Sequence, residues 1–128
     1  MSGRWRDVPY PKWWLQRAAQ RRALLDAAVV RLQERLPLVH GAHGALVFGS
    51  YATGRVGPTS DLDVILVVEE DGKPWNERCA RASRELDLPV SCDVIVYGPD
   101  DYARLKRSRN FVAQAAAEGL WFDATTSR

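Results

Sequence analysis

Apolar residues recur at helical spacing in two parts of the chain. In residues 12–36 they share one stripe of a helix, while Arg, Gln and Glu occupy most of the remaining positions. Pro37 predicts the end of this helix because proline cannot donate the next backbone hydrogen bond. Residues 75–88 predict a second helix, which Pro89 ends. The inward positions of the two helices are Ala18, Leu25, Ala28, Val29, Leu32 and Leu36, followed by Cys79, Ala82 and Leu86.

Short apolar runs between turn residues predict three strands. They are residues 45–48, 62–68 and 90–97. The segment between the first two, residues 49–60, is rich in Gly and Pro and predicts a turn, and residues 40–44 predict a loop. After Gly119, the sequence LWFD predicts a fourth strand at the edge of the sheet.

The rest of the pattern completes the prediction of a single domain. Residues 99–101 predict a helix start, and residues 102–106 and 110–118 predict two short helices. No repeat, low-complexity tract or linker interrupts the chain. We therefore expect one domain over residues 11–128, preceded by an N-terminal arm in residues 1–10. The expected fold class is α+β, with a small mixed β-sheet packed against helices.

The amino-acid composition is that of an ordinary globular protein. Of its 128 residues, 46% are hydrophobic and 27% are charged, and the formal net charge is +2. No run approaches the roughly 20 apolar residues that cross a bilayer, and the first residues lack a signal-peptide core, so the expected compartment is the cytoplasm. Arg and Lys cluster at residues 17–22 and 104–110, either as solvated helix faces or as a surface that binds nucleic acid or phosphate. Cys79 and Cys92 are expected to be reduced.

Two aspartates stand at the head of the second predicted strand, although the next five residues are all apolar. In a strand, Asp61 and Asp63 would share one face, with Cα atoms roughly 6.5 Å apart. Two unit charges at that distance repel by roughly 2–3 kcal/mol at an effective dielectric of about 20. Mg²⁺ would remove this repulsion because hard cations bind carboxylate oxygens. The alternative is that Asp61 caps the preceding turn and Asp63 lies in solvent.

Asp93 places a third charge inside the otherwise apolar strand of residues 90–97. If this strand neighbours the strand of residues 62–68, Asp93 can face the same site as Asp61 and Asp63. Three such carboxylates match a two-metal site for phosphoryl transfer, with ions roughly 3.5–4 Å apart. Asp93 would then lie closest to the nucleophile and is a candidate general base. The alternative is a salt bridge from Asp93 to a helix arginine.

Gly49 and Ser50 follow the first strand and are candidate phosphate ligands. Glycine lets the backbone approach a ligand closely, and the Ser hydroxyl and the following N–H groups can donate to a phosphate. Gly49 and Gly54 have the glycine spacing of a Walker loop. Arg55 and Val56 stand where that motif requires Lys and Ser or Thr, so this class of NTPase is excluded. The alternative for Gly49 is a simple tight turn.

Taken together, these residues resemble a known family. Gly49–Ser50, ten intervening residues, Asp61-x-Asp63 and the later Asp93 resemble the minimal nucleotidyltransferases of the DNA polymerase β-like superfamily. The resemblance covers residues 46–97, and the final RSRNFVAQAAAEGLWFD is similar to that family's C-terminal helix and strand. It implies a polymerase β-like fold and metal-dependent transfer of a nucleoside monophosphate, AMP from ATP, to a hydroxyl. It also implies that Gly49 and Ser50 bind the triphosphate, that Asp61 and Asp63 hold two Mg²⁺ ions, and that Asp93 holds one ion and activates the acceptor.

The resemblance further implies a protein partner. Minimal proteins of this family are commonly antitoxins that add AMP to a tyrosine of a HEPN-domain ribonuclease, so ATP and a HEPN-type toxin are the expected partners. A homo-oligomer stays open, whereas membrane and nucleic acid are not expected. An alternative from another class is a module that neutralises a partner by contact alone, with Trp5, Trp13 and Trp14 as anchors or as residues packed under the long helix. A weaker alternative is a transferase acting on an aminoglycoside or RNA.

Overall fold

The computed structural model describes residues 10–124, which form a four-stranded sheet with helices on both faces. The predicted N-terminal arm, including Trp5, lies outside the described residues apart from Tyr10. In chain order the elements are α1 (Lys12–Arg35), a 3-10 turn (Leu36–Leu38), β1 (Ala42–Phe48), α2 (Ser50–Thr53), β2 (Leu62–Val68), α3 (Trp75–Leu86), β3 (Cys92–Tyr97), α4 (Pro99–Leu105), α5 (Phe111–Glu118) and β4 (Leu120–Asp123).

The strand order across the sheet is β3-β2-β1-β4. β1 pairs antiparallel with both β2 and β4, whereas β2 and β3 are parallel. A parallel pair requires a crossover connection, which α3 provides. The expected α+β fold with a small mixed sheet is confirmed, and LWFD is the edge strand β4 as predicted.

Helices cover the two faces of the sheet, and side-chain alternation divides β2 between them. Leu62, Val64, Leu66 and Val68 face a core built with α1 and α3. Ile65 and Val67 face a second core with α4 and α5, whose buried members are Tyr102, Val112 and Ala115. Because β2 is buried on both faces, its sequence is a continuous apolar run. The buried stripe of α1 is Leu25, Ala28, Val29 and Leu32, as predicted, whereas Ala18, also predicted to point inward, is only half-buried.

Several predicted boundaries are wrong because tertiary contacts set them. β1 begins at Ala42, inside the predicted loop, since Ala42 and Gly44 pair with Val68 and Val67 around a bulge. The helix predicted to reach residue 88 ends at Leu86, where Asp87 adopts a left-handed conformation with φ of 48°. β3 begins at Cys92 and not at residue 90.

The helices around the last turn also differ from the prediction. α4 begins at Pro99, at the predicted helix start, because proline fits the first turn of a helix, and it ends at Leu105, one residue before the predicted end. α5 begins at Phe111, since Asn110 is its N-cap and accepts a hydrogen bond from the backbone N–H of Ala113 at 3.1 Å. The predicted turn of residues 49–60 contains the short helix α2.

Arg78 on α3 is a buried charged residue, with only 7% of its surface exposed. Its guanidinium donates to the carbonyls of Val68 and Glu69 at 3.1 and 3.2 Å and to the Glu70 carboxylate at 3.1 Å. It therefore ties the end of β2 to α3.

The two cysteines, Cys79 and Cys92, are both free thiols. Among residues 10–124, no helix is long and apolar enough to span a membrane.

Candidate active site

Asp63 and Asp93 are direct partners in the register of the parallel strands β2 and β3. Both lie near the amino-terminal ends of their strands, and neighbouring strands are about 4.8 Å apart. Residues two apart share a face, so Asp63 lies on the face of Ile65 and Asp93 on that of Ile95, the α4/α5 side. The predicted adjacency of the two strands is thus confirmed. Asp61 precedes β2 at the same end of the sheet.

The three carboxylates act on one another electrostatically. Asp61 and Asp93 are exposed, whereas Asp63 is half-buried. Burial raises the pKa of Asp63, and the negative charges of Asp93 and Asp61 raise it further. Burial together with the same two charges raises the pKa of the Cys92 thiol. Within residues 10–124, none of the three carboxylates has a hydrogen-bond or ion-pair partner, so the alternative of a salt bridge from Asp93 to a helix arginine is not observed there.

Gly49 brings the end of β1 against Asp63. Phe48, the last residue of β1, is the register partner of Asp63. Gly49 follows with φ of 76° and ψ of −151°, a conformation that is essentially restricted to glycine. A Cβ atom at this position would overlap Oδ2 of Asp63. The glycine therefore permits a close approach of the backbone to Asp63, and Ser50, the first residue of α2, follows it directly.

The segment that follows is an ordered turn. Thr53 donates through both its backbone N–H and its hydroxyl to the carbonyl of Gly49, each at 3.1 Å. Gly54 ends α2 in the left-handed conformation. Nearer β2, the backbone N–H of Gly57 donates to the Ser60 hydroxyl at 2.8 Å. The segment thus holds its shape through local hydrogen bonds before it enters β2.

Helix α1 makes contacts with the segment of residues 49–60 that are not predicted from the sequence. The Tyr51 hydroxyl donates to Asp26 at 2.6 Å, and Nε of Arg21 donates to the carbonyl of Pro58 at 3.2 Å. Trp14 lies under Gly57 and stacks on Tyr10, with ring centroids 4.0 Å apart. These pairs are far apart in sequence and carry no local signal that could have revealed them.

The carboxylates suit a hard divalent cation by donor chemistry. Three carboxylate groups that have no cationic partner among residues 10–124 supply the oxygen ligands that Mg²⁺ takes. In the part of the chain that the structure describes, no three His, Cys, Asp or Glu side chains stand as a ready-made metal-binding group. The side chains of Asp61, Asp63 and Asp93 would therefore have to turn towards an ion. In this structure they stand as a cluster of mutually repelling charges.

Comparison with known proteins adds one strong match. Residues 31–116 match the family model of the nucleotidyltransferase domain, a range that includes Gly49, Ser50 and the three aspartates. A candidate nucleotidyltransferase structure from Sulfolobus solfataricus is 19% identical, with a TM-score of 0.49 and 84% of each chain covered. A structure described as a toxin–antitoxin with AMP-PNP is 18% identical, with a TM-score of 0.40, covering 78% of this chain and 70% of that one. No curated protein matches the sequence.

Proposed function

This chain belongs to the nucleotidyltransferase domain family, and on that premise we propose that it transfers AMP from ATP to a hydroxyl group of a partner protein. The observation that carries the proposal is the pairing of Asp63 with Asp93 across β2 and β3, with Gly49 against Asp63. Three carboxylates and the Gly49–Ser50 segment thereby meet at one end of the sheet. This is the set of groups that a metal-dependent phosphoryl transfer requires.

Each residue takes a separate role in the proposed reaction. Gly49 and Ser50 bind the triphosphate through backbone N–H and hydroxyl donors. Asp61, Asp63 and Asp93 would hold two Mg²⁺ ions, which neutralise charge on the transferring phosphate. Asp93 also accepts the proton of the acceptor hydroxyl, and its exposed position on the edge strand β3 suits it to meet an incoming acceptor.

The reaction breaks a phosphoanhydride bond of ATP and forms a phosphoester bond to the acceptor. The acceptor hydroxyl oxygen attacks the α-phosphorus of ATP, a new O–P bond forms, and the hydroxyl proton passes to Asp93. The bond between the α-phosphorus and the bridging oxygen to the β-phosphate breaks. Pyrophosphate leaves with the electron pair of that bond. The acceptor then carries AMP, and Asp93 returns its proton to solvent.

The proposed acceptor is a tyrosine of a HEPN-type toxin, which makes this chain an antitoxin that acts in the cytoplasm. The motif resemblance to minimal nucleotidyltransferases supports this identity. Exposure of Asp61 and Asp93 supports an acceptor as large as a protein, because a folded partner can reach an open surface but not an enclosed cavity.

One observation favours neutralisation by contact alone as a second candidate. The Trp13 side chain is 54% exposed, and the Arg17 guanidinium lies over its ring at 5.4 Å. Exposed aromatic residues beside arginine are frequent anchors of protein interfaces. Trp14, by contrast, is half-buried, with its ring against Tyr10 and Gly57, and offers less surface to a partner.

The test uses two samples of ATP, one labelled on the α-phosphate and the other on the γ-phosphate. Each is incubated with Mg²⁺, the purified protein and lysate of the source organism. Nucleotidyl transfer predicts that the α label moves to one protein band and the γ label does not. Asp63→Asn should abolish the transfer, while Asp101→Asn, which changes an exposed aspartate paired with Arg104, should not. If the label appears on RNA or on a small molecule, the chain is a nucleotidyltransferase with a different acceptor. If no label is transferred but the protein still neutralises its partner, neutralisation by contact alone is favoured.

A further inference from the structure

The connection between β1 and β2 is fastened to α1 near both of its ends. Close to its start, Tyr51 contacts Asp26 and Arg22 of α1. Close to its end, the carbonyl of Pro58 accepts a hydrogen bond from Arg21. Helix α1 therefore contacts the connection at two separate points.

Arg22, Asp26 and Tyr51 form one cluster of mutual contacts, which we call the α1 clamp. The Tyr51 hydroxyl donates to Oδ1 of Asp26 at 2.6 Å, and Arg22 Nε lies 3.5 Å from the same oxygen. The Arg22 guanidinium also lies over the Tyr51 ring, 4.6 Å from its centroid. Partial burial, followed by the bond to Asp26, raises the pKa of Tyr51, so the hydroxyl stays protonated and donates at neutral pH.

The clamp contacts the residue that follows Ser50. None of the four residues of α2 is fully buried, so the core alone does not fix this segment. Tyr51 is the residue of α2 whose ring packs partly against the core, and its hydroxyl reaches α1. Local hydrogen bonds give the segment its shape, and Tyr51 is the contact through which α1 reaches the residue next to Ser50.

We propose that the α1 clamp is a positioning device that holds Gly49 and Ser50 ready for the triphosphate of the nucleotide, an inference that rests on the proposed function. Arg22, Asp26 and Tyr51 act through Ser50 and do not touch the reacting atoms. When an attachment is lost, the fraction of molecules with Ser50 in the binding position falls, and the apparent Kd rises by the inverse of that fraction. At saturating ATP the bound nucleotide restores the position, so kcat is unchanged.

The experiment measures Kd for AMP-PNP with Mg²⁺ by calorimetry, together with KM for ATP and kcat, on the full chain. Tyr51→Phe removes only the hydroxyl, and Asp26→Asn removes the charge that accepts its hydrogen bond. Each should raise Kd and KM about fivefold with kcat unchanged. The double variant should do little more than Tyr51→Phe alone, because the charge that Asp26→Asn removes acts on Tyr51 through the hydrogen bond that Tyr51→Phe already lacks. Hydrogen exchange of the backbone N–H groups in residues 50–55 should accelerate in both.

A matched control separates positioning from general loosening of α1. Asp87→Asn removes another exposed ion pair of the helix, between Arg31 and Asp87 at 2.7 Å, far from the connection. It should leave Kd and KM at the wild-type values. If Asp87→Asn raises Kd as much as Tyr51→Phe does, or if Tyr51→Phe and Asp26→Asn bind like wild type, the clamp has no positioning role. A wild type that binds no nucleotide and transfers no label would instead overturn the proposed function, and the inference with it.

Discussion

The carboxylate of Asp63 lies directly over the backbone of Gly49, where a Cβ atom would overlap Oδ2. The contact joins the residue that directly follows β1 to the second residue of β2. It therefore couples the two halves of the motif, the candidate triphosphate ligands and the candidate metal ligands, through one glycine. A substitution at Gly49 changes both halves at once.

Gly49→Ala should disrupt the protein more than Gly54→Ala, and the pair provides its own control. Both glycines have positive φ, 76° and 75°, but a Cβ on Gly54 meets no atom within 4 Å. We expect Gly54→Ala to cost about 1 kcal/mol from backbone strain alone. Gly49→Ala should cost about 3 kcal/mol and abolish transfer, because ψ of −151° at Gly49 is far more restricted to glycine than ψ of 23° at Gly54, and the Asp63 carboxylate must also move away. Urea unfolding and the labelling assay measure the two effects, and equal costs would contradict the structure.

Asp63→Asn should stabilise the metal-free protein at neutral pH. Burial and then the charges of Asp93 and Asp61 raise the pKa of Asp63, so the folded state holds its proton more tightly than the unfolded chain. That stability is fully present below the ordinary pKa of aspartate and is lost as pH rises through the raised pKa. Asparagine carries no charge at any pH, so we expect a gain of up to about 1 kcal/mol, limited by solvent screening.

The measurement of this gain is urea unfolding in the presence of a chelator. The difference between Asp63→Asn and wild type should be largest at neutral pH and should shrink in acid, where the carboxylates are protonated. Asp101→Asn breaks the ion pair with Arg104 and should show no gain. An Asp63→Asn variant that is less stable than wild type at neutral pH would mean that repulsion among the three aspartates is not significant.

Mg²⁺ and nucleotide together should raise the melting temperature of wild type. A ligand at about 100 times its Kd stabilises a folded protein by about 2.7 kcal/mol. Asp63→Asn and Asp93→Asn should lose this shift because each removes a candidate metal ligand, whereas Asp101→Asn should keep it. Addition of EDTA should reverse the shift in wild type. The same shift in all four proteins would place the ion elsewhere.

Arg78→Met should destabilise the protein without changing transfer by the folded fraction. The carbonyls of Val68 and Glu69 would lose their donor, at a cost of about 2–3 kcal/mol in the free energy of unfolding. Arg84→Met changes an exposed arginine on the same helix and should be nearly neutral. A loss of kcat in folded Arg78→Met protein would show that the far end of β2 influences the site.

The sequence predicts those parts of the site that lie on strands, because the pattern of apolar and charged residues along a strand shows which side chains share a face. β2 was predicted with both of its ends because an apolar run buried on both faces allows little variation. Asp93 was predicted to join Asp61 and Asp63 from one assumption, that two apolar strands are neighbours, and the register of β2 and β3 confirms that assumption. The sequence marks Gly49 by its position directly after a strand, and its backbone conformation explains why a glycine is required there.

The parts that sequence could not predict depend on contacts between distant residues. The start of β1 is set by pairing with Val68, and Gly44 within β1 lies beneath the ring of Trp121. The α1 clamp joins Tyr51 to residues that precede it by more than 20 positions, as the separation of 25 from Asp26 shows. No periodicity marks such a pair, because its partners lie on different elements and only the fold brings them together.

The mixed direction of the sheet gives the two halves of the site different folding requirements. Gly49, Ser50, Asp61 and Asp63 are assembled by an antiparallel pair of strands that are consecutive in the chain. Asp93 is added by a parallel pairing that must wait for the crossover through α3, and such non-local contacts form more slowly. β3 is also an edge strand, where local opening requires the least free energy. A molecule in which β3 has opened would retain the residues proposed to bind the nucleotide and lose Asp93, so the proposed roles predict that nucleotide binding outlasts catalysis as the fold loosens.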